Sequence, residues 1–246
     1  MRYKPEKHHL PPFAENGIIL INKPREWTSF DVVNFMRGRF NIPKIGHCGT
    51  LDPAATGLLV IVVGKYTKLS EQLSGDDKSY DATVLLGKTS DSHDLDGEIT
   101  SENDWSQVTA EILTECLKSF EGEQLQTPPM VSAIKKDGRK LCDLARKGIE
   151  VAREAKKINI TELKINEIAL PEFKISVRCS KGTYIRVLAH DIGQKLHCGA
   201  LLSSLHRTRS GNFSIENAVD LEAIRNFTQE ELAKLVIQLE NETPTQ

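Results

Sequence analysis

Residues 58–63 read LLVIVV, six apolar residues in succession, and this run constrains the fold more than any other segment. A short continuous apolar run that follows a glycine-rich stretch is typical of a strand buried on both faces of a sheet. We therefore expect residues 58–63 to form a central strand.

The other secondary structure elements are predicted from periodicity and capping residues. Strands are expected at residues 17–22, 80–86, 158–168 (with one slip of period) and 173–179. Helices are expected after a cap at Thr28 or Ser29, after Thr109 with Ile112 on the apolar side, over 139–147, from Thr183 to Gly199, and around 232–239. Residues 46–57 are expected to form a turn, 87–107 an acidic loop, and 124–138 an irregular segment. No βαβ unit repeats, so we predict an α+β fold with a mixed, largely antiparallel sheet flanked by helices.

The charge distribution favours a polyanionic partner, although the formal net charge is only −2. Residues 71–123 contain 14 acidic and 3 basic side chains, and residues 216–246 contain 7 acidic and 2 basic ones. The remaining residues contain 27 basic and 13 acidic side chains. Such polarity can present a basic face to nucleic acid. Ordinary solvated surface is the alternative.

Cysteine usage and hydropathy predict a cytoplasmic protein. The five cysteines are scattered without a C-x-x-C pair, which argues against a disulfide framework or a structural zinc site. No apolar run approaches the ~20 residues that span a bilayer, and the polar, basic N-terminus does not resemble a secretory signal. We expect no metal and no cofactor.

The segment most suggestive of chemistry is residues 46–57, GHCGTLDPAATG. Its three glycines permit tight turns and the close approach of a ligand to the backbone. It lacks the Gly-Lys-Ser/Thr ending of a phosphate-binding loop. A single carboxylate, Asp52, lies just before the predicted central strand. An isolated Asp-Pro pair is more often a simple turn, which is the alternative to a catalytic role.

This segment resembles the signature of the TruB family, the tRNA pseudouridine-55 synthases, whose pattern runs Gly-His-x-Gly-Thr-Leu-Asp-Pro-x-Ala-Thr-Gly. Further similar motifs occur in order from about residue 16 to 211: Lys23-Pro24, Tyr80, TSD at 89–91 with Asp96-Gly97, PPMVSAIK at 128–135, ARKG at 145–148, KGTYIR at 181–186 and CGA at 198–200. Cys48 stands where the family commonly has threonine, and Leu141-Cys142 replaces a Leu-Tyr pair.

The resemblance implies a pseudouridine synthase catalytic fold over residues 16–215, with an RNA-gripping insertion at about 124–157. Residues 1–15 are expected to be a flexible tail, and residues 216–246 an acidic helical extension. The PUA-type RNA-binding domain that family members often carry is not expected here.

The resemblance also implies a role for each site residue. Asp52 is the expected catalytic carboxylate, acting at the ribose as nucleophile or as base. Arg186 is expected to pair with it, which favours the ionised carboxylate. Tyr80 is expected to stack on the flipped uracil, Tyr184 and Leu205 to line the pocket, and His47 to pack in the space that the base vacates. Lys23 and Pro24 are expected to shape the pocket. Core packing is the alternative for Tyr80, Tyr184, Leu205 and His47, and a surface helix position for Arg186.

The expected substrate is the T stem-loop of tRNA, modified at uridine 55 by a monomer that needs no guide RNA, protein partner or membrane. The basic residues of the insertion are expected to contact the RNA backbone. Those proposed for contact are Lys135, Lys136, Arg139, Lys140, Arg146 and Arg153.

Three other functions remain open at this point. A non-catalytic RNA-binding or folding module would keep the basic segment without needing Asp52. A nucleosidase or glycosidase would usually need two carboxylates flanking the bond, where only one is found. A synthase of the same fold could modify another RNA under the guidance of protein partners.

Overall fold

The structure, a computed structural model, describes residues 10–239 except Ala133, Asp137, Arg146 and Lys147. The side chains of Lys135, Lys136, Lys140 and Cys142 also lie outside this description. The chain forms two compact units. Unit 1 comprises the described residues of Met1–Tyr80 and His206–Gln246, and unit 2 comprises those of Asp81–Leu205.

Strands and helices are numbered in chain order. The strands are β1 (Gly17–Lys23), β2 (Ile45–Cys48), β3 (Thr56–Val63), β4 (Lys78–Leu86), β5 (Lys88–Ser90), β6 (Ile99–Glu102), β7 (Gly122–Gln126), β8 (Lys135–Lys136), β9 (Arg139–Lys140), β10 (Lys156–Ala169), β11 (Glu172–Cys179), β12 (Ala200–Ser210), β13 (Phe213–Ser214) and β14 (Val219–Asp220). The α-helices are α1 (Ser29–Arg39), α2 (Ser70–Ser74), α3 (Ala110–Lys118), α4 (Leu141–Ala145), α5 (Ile185–Lys195), α6 (Leu221–Ile224) and α7 (Gln229–Ala233). The predicted α+β class with largely antiparallel strands is confirmed.

Strand β3 is central to unit 1, as its apolar sequence predicts. The strand order in this unit is β14-β1-β3-β12. β1 pairs antiparallel with β3 from Gly17↔Val63 to Lys23↔Gly57. β2 also pairs antiparallel with β3, and β12 pairs parallel with it at Thr56 and Gly57.

The alternating side chains of β1 and β3 enter two apolar clusters, one on each face. Ile19, Ile21, Leu59 and Ile61 pack in a cluster with the apolar side of α1. Ile18, Leu20, Leu58 and Val60 pack in a second cluster with Cys48, Tyr66 and Leu73. Because successive strand residues point to opposite faces, a strand covered on both sides must be apolar throughout.

Unit 2 is built on the strand order β12-β4-β11-β10-β7. The predicted alternation of β11 is confirmed, with Phe173, Ile175 and Val177 buried. β10 pairs antiparallel with β11, and its register shifts between Ile160 and Glu162 and again between Ile165 and Glu167. The period therefore slips twice rather than once.

Two of the three predicted helix caps are confirmed. Thr28 caps α1 through a capping box with Asp31, and Thr109 caps α3 by accepting from the backbone N–H of Ile112. Ile112 itself is 49% exposed, so its predicted place on the apolar side is wrong. At α5 the cap residue is Tyr184, without a side-chain cap bond, and the helix ends at Lys195.

Several segments predicted as loop form strands instead. Residues 46–48 belong to β2, and Thr56 and Gly57 belong to β3. The predicted acidic loop over 87–107 contains the β5–β6 hairpin, and residues 124–126 of the predicted irregular segment belong to β7. Residues 139–140 form β9 and only Leu141–Ala145 is helical, while Arg146 and Lys147 of the predicted helix lie outside the described residues. β12 was not predicted at all.

The ends of the described chain pack against unit 1. Leu10–Asn16 contains no helix or strand, but Phe13 is buried and donates its N–H to the carbonyl of Asn41 at 3.0 Å. The predicted last helix is limited to α7, and Leu221, Ile224 and Leu232 lie in the cluster around α1. The domain boundary predicted at residue 215 stays a prediction. No helix in the described part of the chain combines the length and apolar character required to cross a bilayer.

Candidate active site

Asp52 lies in a hydrogen-bonded turn between β2 and β3. The N–H of Ala55 donates to the carbonyl oxygen of Asp52 at 3.1 Å, with Pro53 in the second position of the turn, where proline's fixed φ is favourable. Asp52 is half-buried, while Pro53 is exposed and Leu51 is buried. The turn therefore places a carboxylate at the entrance to the central strand of unit 1.

Ser29 fixes the residue before Asp52. Its side-chain oxygen accepts from the N–H of Leu51 at 2.8 Å and donates to the carbonyl oxygen of Leu51 at 3.1 Å. Ser29 is 1% exposed and is the first residue of α1, whose start is set by the Thr28 capping box. A rigid helix end thus holds the segment that carries Asp52.

Lys23 fixes the residue after Asp52. This side chain is fully buried, and its Nζ donates to the carbonyl oxygens of Trp27, Pro24 and Pro53 at 2.7, 2.9 and 3.3 Å. Burial lowers the pKa of Lys23 to about 8, against the opposing effect of the negative charge of Asp52. The positive charge of Arg207 lowers that pKa further.

Arg207, from β12, is a second buried cation in the same region and was not predicted. It is 1% exposed, and it donates from Nε to the carbonyl of Leu58 at 2.7 Å and from Nη2 to the carbonyl of Gly49 at 3.1 Å. Gly57 has φ +99°, and a Cβ there would lie 2.4 Å from the Arg207 carbonyl oxygen. Glycine is therefore required at 57 for β3 and β12 to pair.

The other predicted residues of unit 1, His47, Tyr80 and Pro24, lie in β2, in β4 and directly after β1. His47 is in β2, half-buried, and burial followed by the charge of Arg207 lowers its pKa, so its imidazole is neutral at pH 7. Tyr80 is half-buried in β4, and Pro24 directly follows Lys23 at the end of β1. Unit 1 thus brings Asp52 and Lys23 together, with Arg207 nearby.

In unit 2, Arg186 and Tyr184 stand at the start of α5. Arg186 is 3% exposed and donates to the carbonyls of Val131 at 2.6 Å and Ser92 at 3.3 Å. Its guanidinium lies 5.6 Å from the centre of the Tyr184 ring. The buried amide of Gln126, also unpredicted, accepts from the N–H of Tyr184 at 2.8 Å and donates to its carbonyl at 3.1 Å. Leu205 is half-buried in β12. The pairing of Arg186 with Asp52 stays a prediction.

A polar cavity of about 500 Å³ lies elsewhere in unit 2, lined in part by Thr89, Asn103 and three histidines. The rings of His93 and His190 lie 4.1 Å apart. Burial and the neighbouring His190 lower the pKa of His93 to about 4, and burial lowers that of His190. The two imidazoles therefore present no positive charge to a phosphate at neutral pH.

The predicted RNA-contacting residues differ in how available they are. Arg139 is exposed, whereas Arg153 already donates to the carbonyl of Pro128 and pairs with Glu150 at 3.1 Å. The side chains of Lys135, Lys136 and Lys140, and the whole of Arg146, lie outside the described residues. Contact with RNA stays a prediction for all six.

Comparison with protein families decides the classification. Residues 37–185 match the model of the TruB family pseudouridylate synthase N-terminal domain, and residues 186–241 match that of the tRNA pseudouridylate synthase B C-terminal domain. The chain belongs to the TruB family. Curated relatives named tRNA pseudouridine synthase B agree with this over most of the chain. That from Opitutus terrae is 44% identical over 94% of this chain and 95% of its own length, and that from Clostridium tetani is 46% identical over 92% and 77%.

Solved structures agree on the fold of this TruB-family chain. A chain from the crystal structure of a Cbf5-Nop10-Gar1 complex has a TM-score of 0.71 and 29% identity, over 90% of this chain. Our chain spans 59% of the length of that one. A chain from an archaeal box H/ACA sRNP Nop10-Cbf5 complex has a TM-score of 0.66 and 26% identity. The predicted pseudouridine synthase fold is confirmed.

Sequence reasoning missed Ser29, Gln126 and Arg207. Ser29 carried a partial signal, since the Thr28-Ser29 pair was expected to cap a helix, and the residue not used as the cap is free to bond elsewhere. The sequence around Gln126 and Arg207 contains no such signal, because the residues to which they bond lie 58 and about 150 residues away in the chain.

Proposed function

We propose that this protein isomerises uridine 55 in the T loop of tRNA to pseudouridine, with Asp52 as the catalytic carboxylate. The observation that carries the proposal is the way unit 1 holds Asp52: half-buried, on a closed turn, with the residues on both sides bonded to buried side chains. A catalytic group must be placed to within a fraction of an ångström, and such bonds supply that placement.

The reaction breaks the N1–C1′ bond of the uridine and forms a C5–C1′ bond to the same ribose. The proton at C5 leaves and N1 gains one, so no oxidation, phosphoryl transfer or cofactor is needed. Asp52 acts at the ribose of the extruded nucleotide, and Arg186 pairs with it as an opposite charge.

The target base must leave the stacked loop, which costs a few kcal/mol. Stacking on an aromatic ring returns about 1–3 kcal/mol, and Tyr80 supplies that ring. Tyr184 and Leu205 complete the pocket walls, and the neutral His47 packs in the space that the base vacates. Lys23 and Pro24 shape the pocket.

The basic insertion grips the T stem through phosphate contacts, which position the RNA but carry little sequence information. Arg139, Lys156 and Lys157 are exposed and available for such contacts. We further infer that the chain acts in the cytoplasm as a monomer, without guide RNA or protein partner.

Replacing Asp52 with Asn tests the catalytic assignment because it removes the charge and keeps the shape. We expect pseudouridine formation on a purified tRNA transcript to fall by on the order of 10⁴-fold, with tRNA affinity nearly unchanged. Asp77→Asn, an exposed carboxylate of the same unit, is the matched control.

Mapping pseudouridine along the transcript shows which uridine is modified. Activity with only the purified chain and transcript tests whether the reaction needs a guide RNA or a protein partner. Activity of Asp52→Asn close to that of the unmodified chain would overturn the mechanism. Modification at another position would refute the T-loop assignment. Release of free uracil would favour a nucleosidase, and tRNA binding without modification would favour a non-catalytic module.

A further inference from the structure

The buried hydroxyl of Ser29 makes two hydrogen bonds, both to the backbone of Leu51, which directly precedes Asp52. We propose that Ser29 is a positioning residue for Asp52, acting through the peptide plane between Leu51 and Asp52. The proposal rests on the catalytic role assigned to Asp52 above.

The geometry fixes both peptide planes that contain Asp52. The Leu51 carbonyl belongs to the plane before the Asp52 Cα, and it accepts from Ser29 at 3.1 Å. The Asp52 carbonyl belongs to the plane after it, and it accepts from the N–H of Ala55 at 3.1 Å. The direction of a Cα–Cβ bond follows from the orientations of its two flanking planes. Ser29 therefore sets one of the two orientations that aim the carboxylate.

The second Ser29 bond anchors the same segment one plane earlier. The N–H of Leu51 donates to the Ser29 oxygen at 2.8 Å, and the Leu51 side chain is buried at 3% exposure. Leu51 thus cannot rotate without breaking two hydrogen bonds and exposing an apolar side chain. Lys23 binds the Pro53 carbonyl on the other side of Asp52. If the bonds at Leu51 are lost, Pro53 stays in place and Asp52 is the residue that moves.

The role of Ser29 is separable from folding of its helix. Thr28 supplies the N-cap and Asp31 completes the capping box, so the Ser29 hydroxyl is not needed to start α1. Alanine is a better helix former than serine, so Ser29→Ala preserves α1 and removes only the two bonds to Leu51. What it leaves is a pair of buried backbone groups that must rotate to find other partners.

The test compares Ser29→Ala with Ser29→Cys, using steady-state kcat and KM together with tRNA affinity. Cysteine has the shape of serine and is slightly larger, so it leaves no cavity, but its thiol is a weak donor and acceptor. We expect both variants to lose about tenfold to a hundredfold in kcat, the scale of an ångström-sized misplacement, with KM and tRNA affinity within about twofold of the unmodified chain. Ser210→Ala is the control, because Ser210 is a serine of the same unit with equal burial and lies outside the Asp52 turn. Its kcat should not change.

A double-mutant comparison distinguishes positioning from general damage. Because Ser29 acts through Asp52, Ser29→Ala should cause no further loss in the Asp52→Asn background. The proposal is overturned if Ser29→Cys has the kcat of the unmodified chain, because the loss in Ser29→Ala would then be due to side-chain volume. It is also overturned if both variants have the kcat of the unmodified chain. Should Ser29→Ala fail to fold, Ser29→Cys alone decides. An active Asp52→Asn variant would instead refute the proposed function, whereas an inactive one beside fully active Ser29 variants would refute only the positioning role.

Discussion

Replacing Lys23 with Met should destabilise the fold at neutral pH, and the deficit should grow as the pH rises. Methionine keeps the unbranched, buried stem of Lys23 and removes the ammonium. The carbonyl oxygens of Pro24 and Trp27 then lose the donor that Lys23 supplies, whereas that of Pro53 keeps the bond that it accepts from the N–H of Glu26 at 2.8 Å.

Two opposing terms set the size of the effect. Each carbonyl that loses its only donor costs about 1–3 kcal/mol, so Pro24 and Trp27 together cost roughly 4 kcal/mol. The ammonium itself is unfavourable in the fold, because burial lowers its pKa from 10.5 to about 8. That difference corresponds to about 3 kcal/mol in favour of methionine at pH 7. The expected net loss of unfolding free energy at pH 7 is therefore about 1 kcal/mol.

The pH dependence follows from proton binding by the two states. Between about pH 8 and pH 10.5 the folded chain has released the Lys23 proton while the unfolded chain still binds it. Stability rises with pH wherever the unfolded state binds more protons, so the unmodified chain gains up to about 3 kcal/mol across this window. The Lys23→Met chain lacks this gain, and the difference between the two chains widens.

Urea unfolding of both chains at pH 7, 8.5 and 10 measures the difference directly. Lys65→Met, at an exposed lysine of unit 1, is the control and should show a small, pH-independent change. Equal stability of the Lys23→Met and unmodified chains at pH 7 would refute the carbonyl-binding role. A difference that stays constant or shrinks with pH would refute the lowered pKa.

Two further predictions concern the backbone and the RNA contacts. Gly57→Ala should lower the unfolding free energy by about 4 kcal/mol or more, because the added Cβ would lie 2.4 Å from the Arg207 carbonyl oxygen. Gly182→Ala is the control and should cost only about 1 kcal/mol, because Gly182 has φ +80° but no atom lies within 4 Å of the added Cβ. Similar shifts of melting temperature in the two variants would contradict this reasoning. Arg139→Ala should weaken tRNA binding and reduce the slope of log affinity against log salt by about 1, as measured by titration at several salt concentrations. An unchanged slope would remove Arg139 from the interface.

The elements that could be predicted from sequence are those whose burial has a clear period. The apolar runs of β1 (18–21) and β3 (58–63) are continuous because these strands are covered on both faces, and β11 alternates because its two faces differ in exposure. The capping residues of α1 and α3 are Thr28 and Thr109, which bond to backbone groups only three residues away. Such local signals are contained in a single stretch of sequence.

The elements that could not be predicted lack such a period. β5 and β6 form a short hairpin in which all four β6 residues are polar or exposed, so neither strand differs in composition from an acidic loop. β12 contains His206, Arg207 and Arg209, which indicate exposed chain. Arg207 is nevertheless buried, because carbonyl groups some 150 residues away in the chain solvate its guanidinium.

The Asp52 segment could be recognised from its own residues, but its rigidity could not. Residues 46–57 contain three glycines, and a glycine-rich segment by itself is conformationally loose. The Gly49 and Leu58 carbonyls accept from Arg207, the Leu51 carbonyl from Ser29 and the Pro53 carbonyl from Lys23. A buried cation is costly unless it is fully hydrogen-bonded, and here one bond from each cation, to Pro53 and to Gly49, also holds the loop. Asp52 therefore depends on β1, α1 and β12 for its position. The same twelve residues in another structural context would contain the carboxylate but would not fix its orientation.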